Sequence, residues 1–284
     1  MEGKVVVVTG GNAGIGKEAA VELARAGARV VITARDRTRG ENALADVRAR
    51  SGSDAVELMD LDLASFASIR RFASDFLGRS DRLDVLVNNA GLLLSKRLET
   101  EDGLEATFGI NHVGHFLLTM QLLDRLESTP GGARVINVSS NAHKGARGGL
   151  DFDDLQSSRR YAGMKVYSKS KLANIYFTRE LSRRVSDGVT VNALHPGFVR
   201  SDFARDGDAN LLYSIGMRLG SPFAISPQRG ADTSVYLASS PEVEGVTAGY
   251  FYKCAPASIS KVATDDAAAR RLWDVSEELI SSAA

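Results

Sequence analysis

Short apolar runs alternate with longer amphipathic segments along the chain. The first run, at residues 4–9, is apolar on both faces, as expected for a strand that is buried between two layers of helices. Runs of this kind predict strands at residues 4–9, 28–33, 55–59, 83–88, 133–138, 189–194 and 250–252. Apolar residues spaced three and four apart predict helices near residues 14–26, 39–49, 66–77, 104–126, 166–185, 227–238 and 267–280.

Repeated β-α units of this kind predict an α/β fold. We expect a single Rossmann-type, doubly wound parallel sheet of about seven strands, flanked by helices on both faces. No linker or charge run divides the sequence, so residues 1–284 should form one domain. Two stretches, 141–165 and 202–226, lack a clear period and follow predicted strands. Because ligands bind at the carboxyl ends of such strands, we expect both stretches to be substrate loops.

Charge and composition indicate which kinds of partner the protein binds. Lys+Arg and Asp+Glu are 35 each, so no overall basic surface is offered to nucleic acid or anionic lipid. No apolar run reaches the roughly 18–20 residues of a membrane helix, and we expect no signal peptide before the first strand. The single cysteine, Cys254, allows no intramolecular disulfide. We therefore expect a cytoplasmic protein with a small-molecule substrate, without a membrane span, and compatible with a homo-oligomer.

A glycine-rich segment at residues 9–16 joins the first predicted strand to the first predicted helix. Gly10, Gly14 and Gly16 are spaced for a tight turn, and a Cβ there would hold the backbone away from a pyrophosphate. The helix N-terminus then offers free N–H groups and the positive end of its dipole to that anion. This context predicts a dinucleotide site, and the alternative is a tight turn that binds nothing.

The end of the second predicted strand bears on the choice of dinucleotide. An acidic residue there would bind the ribose 2′-hydroxyl of NAD and repel the 2′-phosphate of NADP. Ala34 is neutral, and Arg35 can hold a phosphate through two parallel N–H bonds. The sequence therefore favours NADP(H) over NAD(H). Asp36 is evidence against NADP(H), because a shift of one residue in the strand register would place this acid at the ribose and favour NAD(H). Arg35 could instead be a solvated surface charge.

Further motifs follow in chain order and carry a family resemblance. They are Asn88-Asn89-Ala90-Gly91 after the fourth strand, Asn111 on the long helix, Ser139-Ser140 after the fifth strand, Tyr167-x-x-x-Lys171, and Pro196-Gly197 after the sixth strand. With the Thr-Gly-x-x-x-Gly-x-Gly spacing, this ordered set resembles the short-chain dehydrogenase/reductase family. Within it, the chain is similar to the retinol dehydrogenase-like branch at residues 14–18, 111–116, 151–156, 170–174 and 270–274. Membrane-bound members of that branch carry an N-terminal apolar anchor, which we do not expect here.

The resemblance implies a catalytic set of Asn111, Ser140, Tyr167 and Lys171. Tyr167 would exchange a proton with the substrate oxygen, although a free phenol has a pKa of about 10. Lys171 lies one helical turn away, and its positive charge would lower that pKa. Ser140 would polarise the substrate oxygen through a hydrogen bond. By the resemblance, Asn111 would hold a water molecule that relays protons to Lys171.

The cofactor contacts are predicted in the same way. The expected cofactor-binding residues are Gly10, Asn12, Gly14, Ile15, Gly16, Arg35, Asp62, Leu63, Asn89, Ala90, Gly91, Tyr167, Lys171, Pro196, Gly197 and Val199. By the resemblance, Asp62 and Leu63 would hold the adenine ring and residues 89–91 would border the adenosine ribose. Pro196, Gly197 and Val199 would line the nicotinamide. Asp62 could instead cap a helix, and Asn89 could be a turn residue.

Together these features predict an NADP(H)-dependent oxidoreductase that moves a hydride between nicotinamide and a carbonyl or alcohol. An apolar lid would favour a hydrophobic substrate, although the same residues could pack against the core or a second subunit: Leu211, Leu212, Ile215, Met217 and Phe223. The alternative function is a catalytically silent NADP(H)-binding sensor or scaffold. His112 and His115 could face a metal, but no cysteine or carboxylate cluster completes a site, so we expect core packing and no metal.

Overall fold

The computed structural model describes residues 1–199 and 224–281. Its strands are β1 Val5–Val8, β2 Arg29–Ala34, β3 Val56–Asp60, β4 Val85–Asn88, β5 Ala133–Val138, β6 Val189–Leu194, β7 Tyr250–Tyr252 and β8 Ala255–Pro256. Its longer helices are α1 Gly14–Arg25, α2 Arg37–Ser51, α3 Phe66–Leu77, α4 from Ala106 to Ser128, α5 Gly163–Arg184, α6 Pro227–Ser239 and α7 Asp266–Ser281. The predicted elements are all present, with ends that move by a few residues.

Within the described residues, the strands form one sheet in the order β3-β2-β1-β4-β5-β6-β7-β8. Neighbouring strands from β3 to β7 are parallel, and only the β7–β8 pair is antiparallel. The α/β fold class is confirmed, and β8 is an addition to the predicted strands. Strand order reverses at β1, which pairs with β2 on one side and β4 on the other. The carboxyl ends of these strands therefore open a crevice at the switch point.

The valines of β1 show why the sheet is covered on both faces. Val5 and Val7 belong to one apolar cluster, which they share with α3, α4, α5 and α7. Val6 and Val8 belong to a second cluster, on the opposite face, with α1, α2 and α6. Because side chains alternate along a strand, an all-apolar strand needs a helical layer on each side.

Helix α4 contains a local widening that the periodicity did not predict. It begins as Ala106–Phe108, becomes a π-helical turn at Gly109–Val113, and continues as Gly114–Ser128. In the widened turn the N–H of Gly114 donates to the carbonyl oxygen of Gly109, five residues earlier. The turn brings Asn111 into the fold interior beneath the crevice.

Of the two irregular stretches, residues 141–165 are described in full and most of residues 202–226 are not. Residues 141–145 form a short 3₁₀ helix and residues 163–165 begin α5. Between them, Gln156 and Tyr161 contact the segment before α4. There the Tyr161 hydroxyl donates to the carbonyl oxygen of Leu94, at 3.2 Å. In the 202–226 stretch, residues 202–223 lie outside the described residues, and so does the predicted apolar lid. Across the described ranges, no helix combines the length and the apolar character needed to cross a bilayer.

The aromatic cluster around Phe116 on α4 provides a test of the packing. Phe116 is fully buried, 4.9 Å from the Trp273 ring and 5.4 Å from the Phe177 ring between centroids. Phe116→Ala should lower the free energy of unfolding by about 3–5 kcal/mol in urea denaturation, because it leaves a cavity. The exposed control Val246→Ala should cost less than about 1 kcal/mol. Equal losses in the two variants would contradict this packing.

Candidate active site

A cleft of about 1790 Å³ opens along the carboxyl edge of the sheet. It is larger than the roughly 300–1,000 Å³ of an ordinary ligand pocket, so it has room for two ligands side by side. The predicted site residues that line it are Gly10, Asn12, Gly14, Ile15, Gly16, Arg35, Asp62, Leu63, Asn89, Ala90, Gly91, Ser140, Tyr167, Lys171, Pro196, Gly197 and Val199. Side chains from distant parts of the sequence thus meet in one place.

The glycine-rich turn is shaped for close approach. Gly10 has φ +63°, a backbone conformation that suits glycine. A Cβ on Gly16 would overlap the side-chain nitrogen of Asn89 and lie 2.6 Å from the carbonyl oxygen of Gly10. Substitution at Gly16 would therefore push the helix away from the turn. The backbone there forms a cradle, open to the cleft, that fits a dinucleotide pyrophosphate.

Thr9 connects this turn to the segment after β4. Its hydroxyl oxygen accepts from the backbone N–H groups of Asn89 and Ala90, at 2.8 and 3.0 Å. The Asn89 side chain in turn donates to the carbonyl oxygen of Thr9, at 2.8 Å. Asn89 is therefore a structural link between two cleft walls as well as a lining residue. The sequence analysis did not single out Thr9, although its place at the start of the motif was visible.

The buried His115 connects Thr9 to helix α4 through hydrogen bonds. Its Nε2 lies 2.9 Å from the Thr9 hydroxyl, and its Nδ1 lies 3.3 Å from the carbonyl oxygen of Asn111. Burial lowers the pKa of His115 to about 3, so the ring is neutral. Since a carbonyl can only accept, Nδ1 carries the hydrogen and Thr9 donates to Nε2. His115 serves packing and hydrogen bonding, as expected, and the described residues contain no cluster of three metal-ligating side chains.

The end of β2 presents one free cation to the cleft. Ala34 is buried, whereas Arg35 is exposed and has no hydrogen bond or ion pair with any described residue. Asp36 caps α2 and accepts from the backbone N–H of Arg39, at 2.9 Å. Its carboxylate is therefore engaged with the helix N-terminus. The neighbouring Arg37 is held by Glu41 at 2.8 Å and by Asp60 at 3.3 Å.

Tyr167 and Lys171 lie one turn apart on α5. The Lys171 ammonium is 5.6 Å from the centre of the Tyr167 ring and donates to the carbonyl oxygen of Val138, at 3.0 Å. Only 2% of Lys171 is exposed, and this burial lowers its pKa to about 8. A Cβ on Gly91 would lie 3.3 Å from the ammonium, so glycine leaves room for it. The pair can hold and transfer a proton near neutral pH.

Ser140 caps the 3₁₀ helix that follows β5. Its hydroxyl oxygen accepts from the backbone N–H of Ala142, at 3.1 Å. A serine hydroxyl has one hydrogen to donate, and this cap does not use it. Ser140 can therefore act both as the cap and as a donor to an oxygen in the cleft.

Asn111 lies behind the wall of the cleft and is fully buried. Its amide clamps the backbone of Leu92: the oxygen accepts from Leu92 N at 2.8 Å, and the nitrogen donates to Leu92 O at 2.9 Å. The same nitrogen donates to the Ser170 hydroxyl, at 3.0 Å. The amide is thus engaged with the protein, and the proposed water relay to Lys171 stays a prediction.

The remaining cofactor residues are placed by short loops. Asp62 accepts from the backbone N–H of Ala64, at 2.9 Å, while Ser65 caps α3. Asp62 is thus a turn residue at the cleft edge. After β6, the N–H of Gly197 donates to His195 Nδ1 at 3.3 Å. The His195 ring stacks on Tyr252 with 4.1 Å between centroids, which fixes the loop that carries Pro196.

The cleft also has an apolar wall that sequence reasoning missed. Leu98, Met164 and Phe198 line it and are 48%, 48% and 46% exposed. Among the described residues, only Val246 is a further exposed large apolar side chain. Leu98 and Phe198 come from separate loops and Met164 from the first turn of α5, so no periodicity could identify them. Exposed apolar surface concentrated in a cleft is typical of a ligand site.

Known proteins resemble this chain over nearly its full length. A family model described as short chain dehydrogenase matches residues 4–151 and 154–211. Retinol dehydrogenase 14 from Homo sapiens is 45% identical over 295 residues, covering 99% of this chain and 87% of that protein. The solved structure of an uncharacterized protein from Mycobacterium paratuberculosis has a TM-score of 0.78 at 34% identity, covering 99% of this chain and 94% of that chain. A Pseudomonas aeruginosa RhlG/NADP active-site complex has a TM-score of 0.69 at 29% identity, covering 88% of this chain and 94% of that chain.

The cradle at Gly16 can be tested by adding one methyl group. Gly16→Ala should weaken binding of a nicotinamide dinucleotide by at least about tenfold, since the methyl group displaces the turn that receives the pyrophosphate. Fluorescence titration of the reduced dinucleotide measures the affinity. Gly148→Ala is the matched control, because a Cβ there would meet nothing within 4 Å. Unchanged affinity in Gly16→Ala would show that the turn does not receive the dinucleotide.

Proposed function

Because the chain belongs to the short-chain dehydrogenase family, we propose that it transfers a hydride between NADP(H) and a hydrophobic carbonyl or alcohol. Membership of this family, with retinol dehydrogenases among its relatives, makes it an oxidoreductase that acts on CH–OH groups. The choice of NADP(H) and the apolar character of the substrate are the finer parts of the proposal.

One observation carries the proposal. Ser140, Tyr167 and Lys171 border the same cleft as the glycine-rich turn and the free Arg35 cation. A proton donor, a hydrogen-bond donor and a buried ammonium thus share a single space with a cradle for a dinucleotide. A protein that only sensed the nucleotide would have no use for this combination of groups.

The protein groups divide the work of carbonyl reduction. A nicotinamide cofactor, when bound, supplies the hydride. Ser140 donates a hydrogen bond to the carbonyl oxygen and draws charge onto it. Tyr167 then gives its phenolic proton to the same oxygen, and the ammonium of Lys171 stabilises the phenolate that remains. Oxidation of the alcohol uses the same groups in reverse.

Three features support NADP(H) as the cofactor. Ala34 places no negative charge at the end of β2, and Arg35 faces the cleft with its guanidinium free of partners among the described residues. Asp36, the acidic residue that argued for NAD(H) in the sequence, caps α2. A 2′-phosphate would meet a planar cation that can hold it through two N–H bonds.

The apolar wall supports a hydrophobic substrate. Leu98, Met164 and Phe198 stand exposed around the cleft that holds Tyr167. Covering such side chains with an apolar ligand contributes about 25 cal/mol for each Å² removed from water. We therefore expect affinity to rise with the length of an aliphatic aldehyde.

Replacing the phenol tests the proton-donor role. Tyr167→Phe should lower kcat for NADPH-dependent reduction of octanal by about 10²- to 10⁴-fold, because it removes the acid. NADPH affinity should stay within about twofold, since the ring is kept. Tyr236→Phe, on α6 and away from the cleft, is the control and should retain activity. Residual activity near that of the wild type would refute the assignment.

NADPH binding by the wild type without turnover of any aldehyde or ketone would favour the sensor function instead.

Removing the free cation tests the choice of cofactor. Arg35→Ala should weaken NADPH binding by about 10- to 100-fold, the loss expected for a charged hydrogen-bonded contact. NADH binding should change less than about twofold. Arg37→Ala is the matched control, because Glu41 and Asp60 already hold its guanidinium. Equal effects of Arg35→Ala on both cofactors would reject a 2′-phosphate contact.

A further inference from the structure

His143 is fully buried and is the third residue of the 3₁₀ helix Asn141–Gly145, which follows Ser140. Its Nδ1 lies 2.7 Å from the carbonyl oxygen of Ser140. Its Nε2 lies 3.1 Å from the backbone nitrogen of Ser260, far along the chain. The ring therefore joins the serine of the catalytic set to the segment that leads into α7.

The partners fix the tautomer of this ring. A carbonyl oxygen can only accept a hydrogen bond, so Nδ1 must carry the hydrogen toward Ser140. A backbone N–H can only donate, so Nε2 must offer its lone pair to Ser260. Both bonds form together only in the neutral ring with its hydrogen on Nδ1. Burial lowers the pKa of His143, in agreement with a neutral ring.

The surroundings hold the ring in place without exposing it. Tyr250 on β7 packs its ring edge-on against His143, with 5.3 Å between centroids, and its hydroxyl lies 3.4 Å from Nδ1. The neighbours Asn141, Ala142 and Lys144 line the cleft, whereas His143 does not. The side chain thus acts from behind the cleft wall and cannot itself contact the substrate.

Ser140 borders the cleft, and Ser260 adjoins a segment that borders it. Ser140 lines the cleft directly, and so do Ala257 and Ser258, which lie just before Ser260. A displacement of about 1 Å at a reacting group can lower a rate by about 100-fold. One neutral ring therefore has the geometry to set the position of the serine hydroxyl and of the Ala257–Ser258 segment together.

We propose that His143 is a positioning residue, which fixes Ser140 for hydrogen bonding to the substrate through Nδ1 and, by holding Ser260 through Nε2, fixes the adjoining Ala257–Ser258 wall of the substrate cleft. This inference rests on the proposed function of Ser140. The two roles use different ring nitrogens, so they can be separated by substitution.

Two amide variants divide the two roles. In His143→Asn the amide nitrogen takes the place of Nδ1 and can still donate to Ser140, but the contact with Ser260 is lost. In His143→Gln the amide oxygen takes the place of Nε2 and can still accept from Ser260, but the side-chain donor to Ser140 is lost and only the backbone N–H of residue 143 still donates to that carbonyl. Steady-state kinetics with NADPH and octanal measure kcat and KM, and thermal unfolding confirms that both variants are folded.

We expect His143→Gln to lower kcat by about 10- to 100-fold with a KM within about threefold of the wild type. We expect His143→Asn to keep kcat within about threefold and to raise KM for octanal by about tenfold. NADPH affinity should be unchanged in both. In a Ser140→Ala background, His143→Gln should lower kcat no further, because it acts through that hydroxyl.

Two results would overturn the inference. One is equal kcat and KM in the two amide variants, which would reduce His143 to a packing residue. The other is an undiminished effect of His143→Gln in the Ser140→Ala background. Neither result touches the proposed hydride transfer, which is refuted if wild-type protein does not turn over or Tyr167→Phe retains full activity.

Discussion

The buried ammonium of Lys171 constrains the whole site. A charge that is 2% exposed loses most of its hydration, and that loss lowers its pKa to about 8. The Val138 carbonyl oxygen receives one of its hydrogens, at 3.0 Å, and Gly91 leaves the space that its head group fills. The ammonium lies 5.6 Å from the centre of the Tyr167 ring, so its charge acts on that phenol. The chemistry of the site depends on this unsolvated charge.

The rest of the site is tied together by neutral hydrogen bonds. Thr9 joins the glycine-rich turn to the segment after β4, and His115 joins Thr9 to Asn111. On the other side of the cleft, His143 joins Ser140 to Ser260. Both histidines are buried, and their lowered pKa values keep them uncharged. These hydrogen bonds hold the cleft walls that carry the reacting groups, and the two neutral histidines add no second charge beside Lys171.

Much of the fold and of the cleft lining followed from the sequence, because local patterns encode them. The all-valine β1 required helices on both faces, and Gly10 with Gly16 marked the turn that opens the cleft. Features made by distant residues could not be predicted. The exposed wall around Met164, the π-helical turn of α4 and the two bonds of His143 each depend on tertiary contacts that leave no periodic signal. The role of Asp36 as a cap required the geometry of α2.

The most direct test is the pH dependence of kcat/KM for octanal reduction at saturating NADPH, from about pH 6 to about pH 10. Lys171 is charged below its pKa of about 8, so activity should be present there and fall as the pH rises through that value. Lys171→Met should lose both activity and the alkaline limb. A wild-type profile that stays flat to about pH 10, or the same limb in Lys171→Met, would contradict the role of the ammonium.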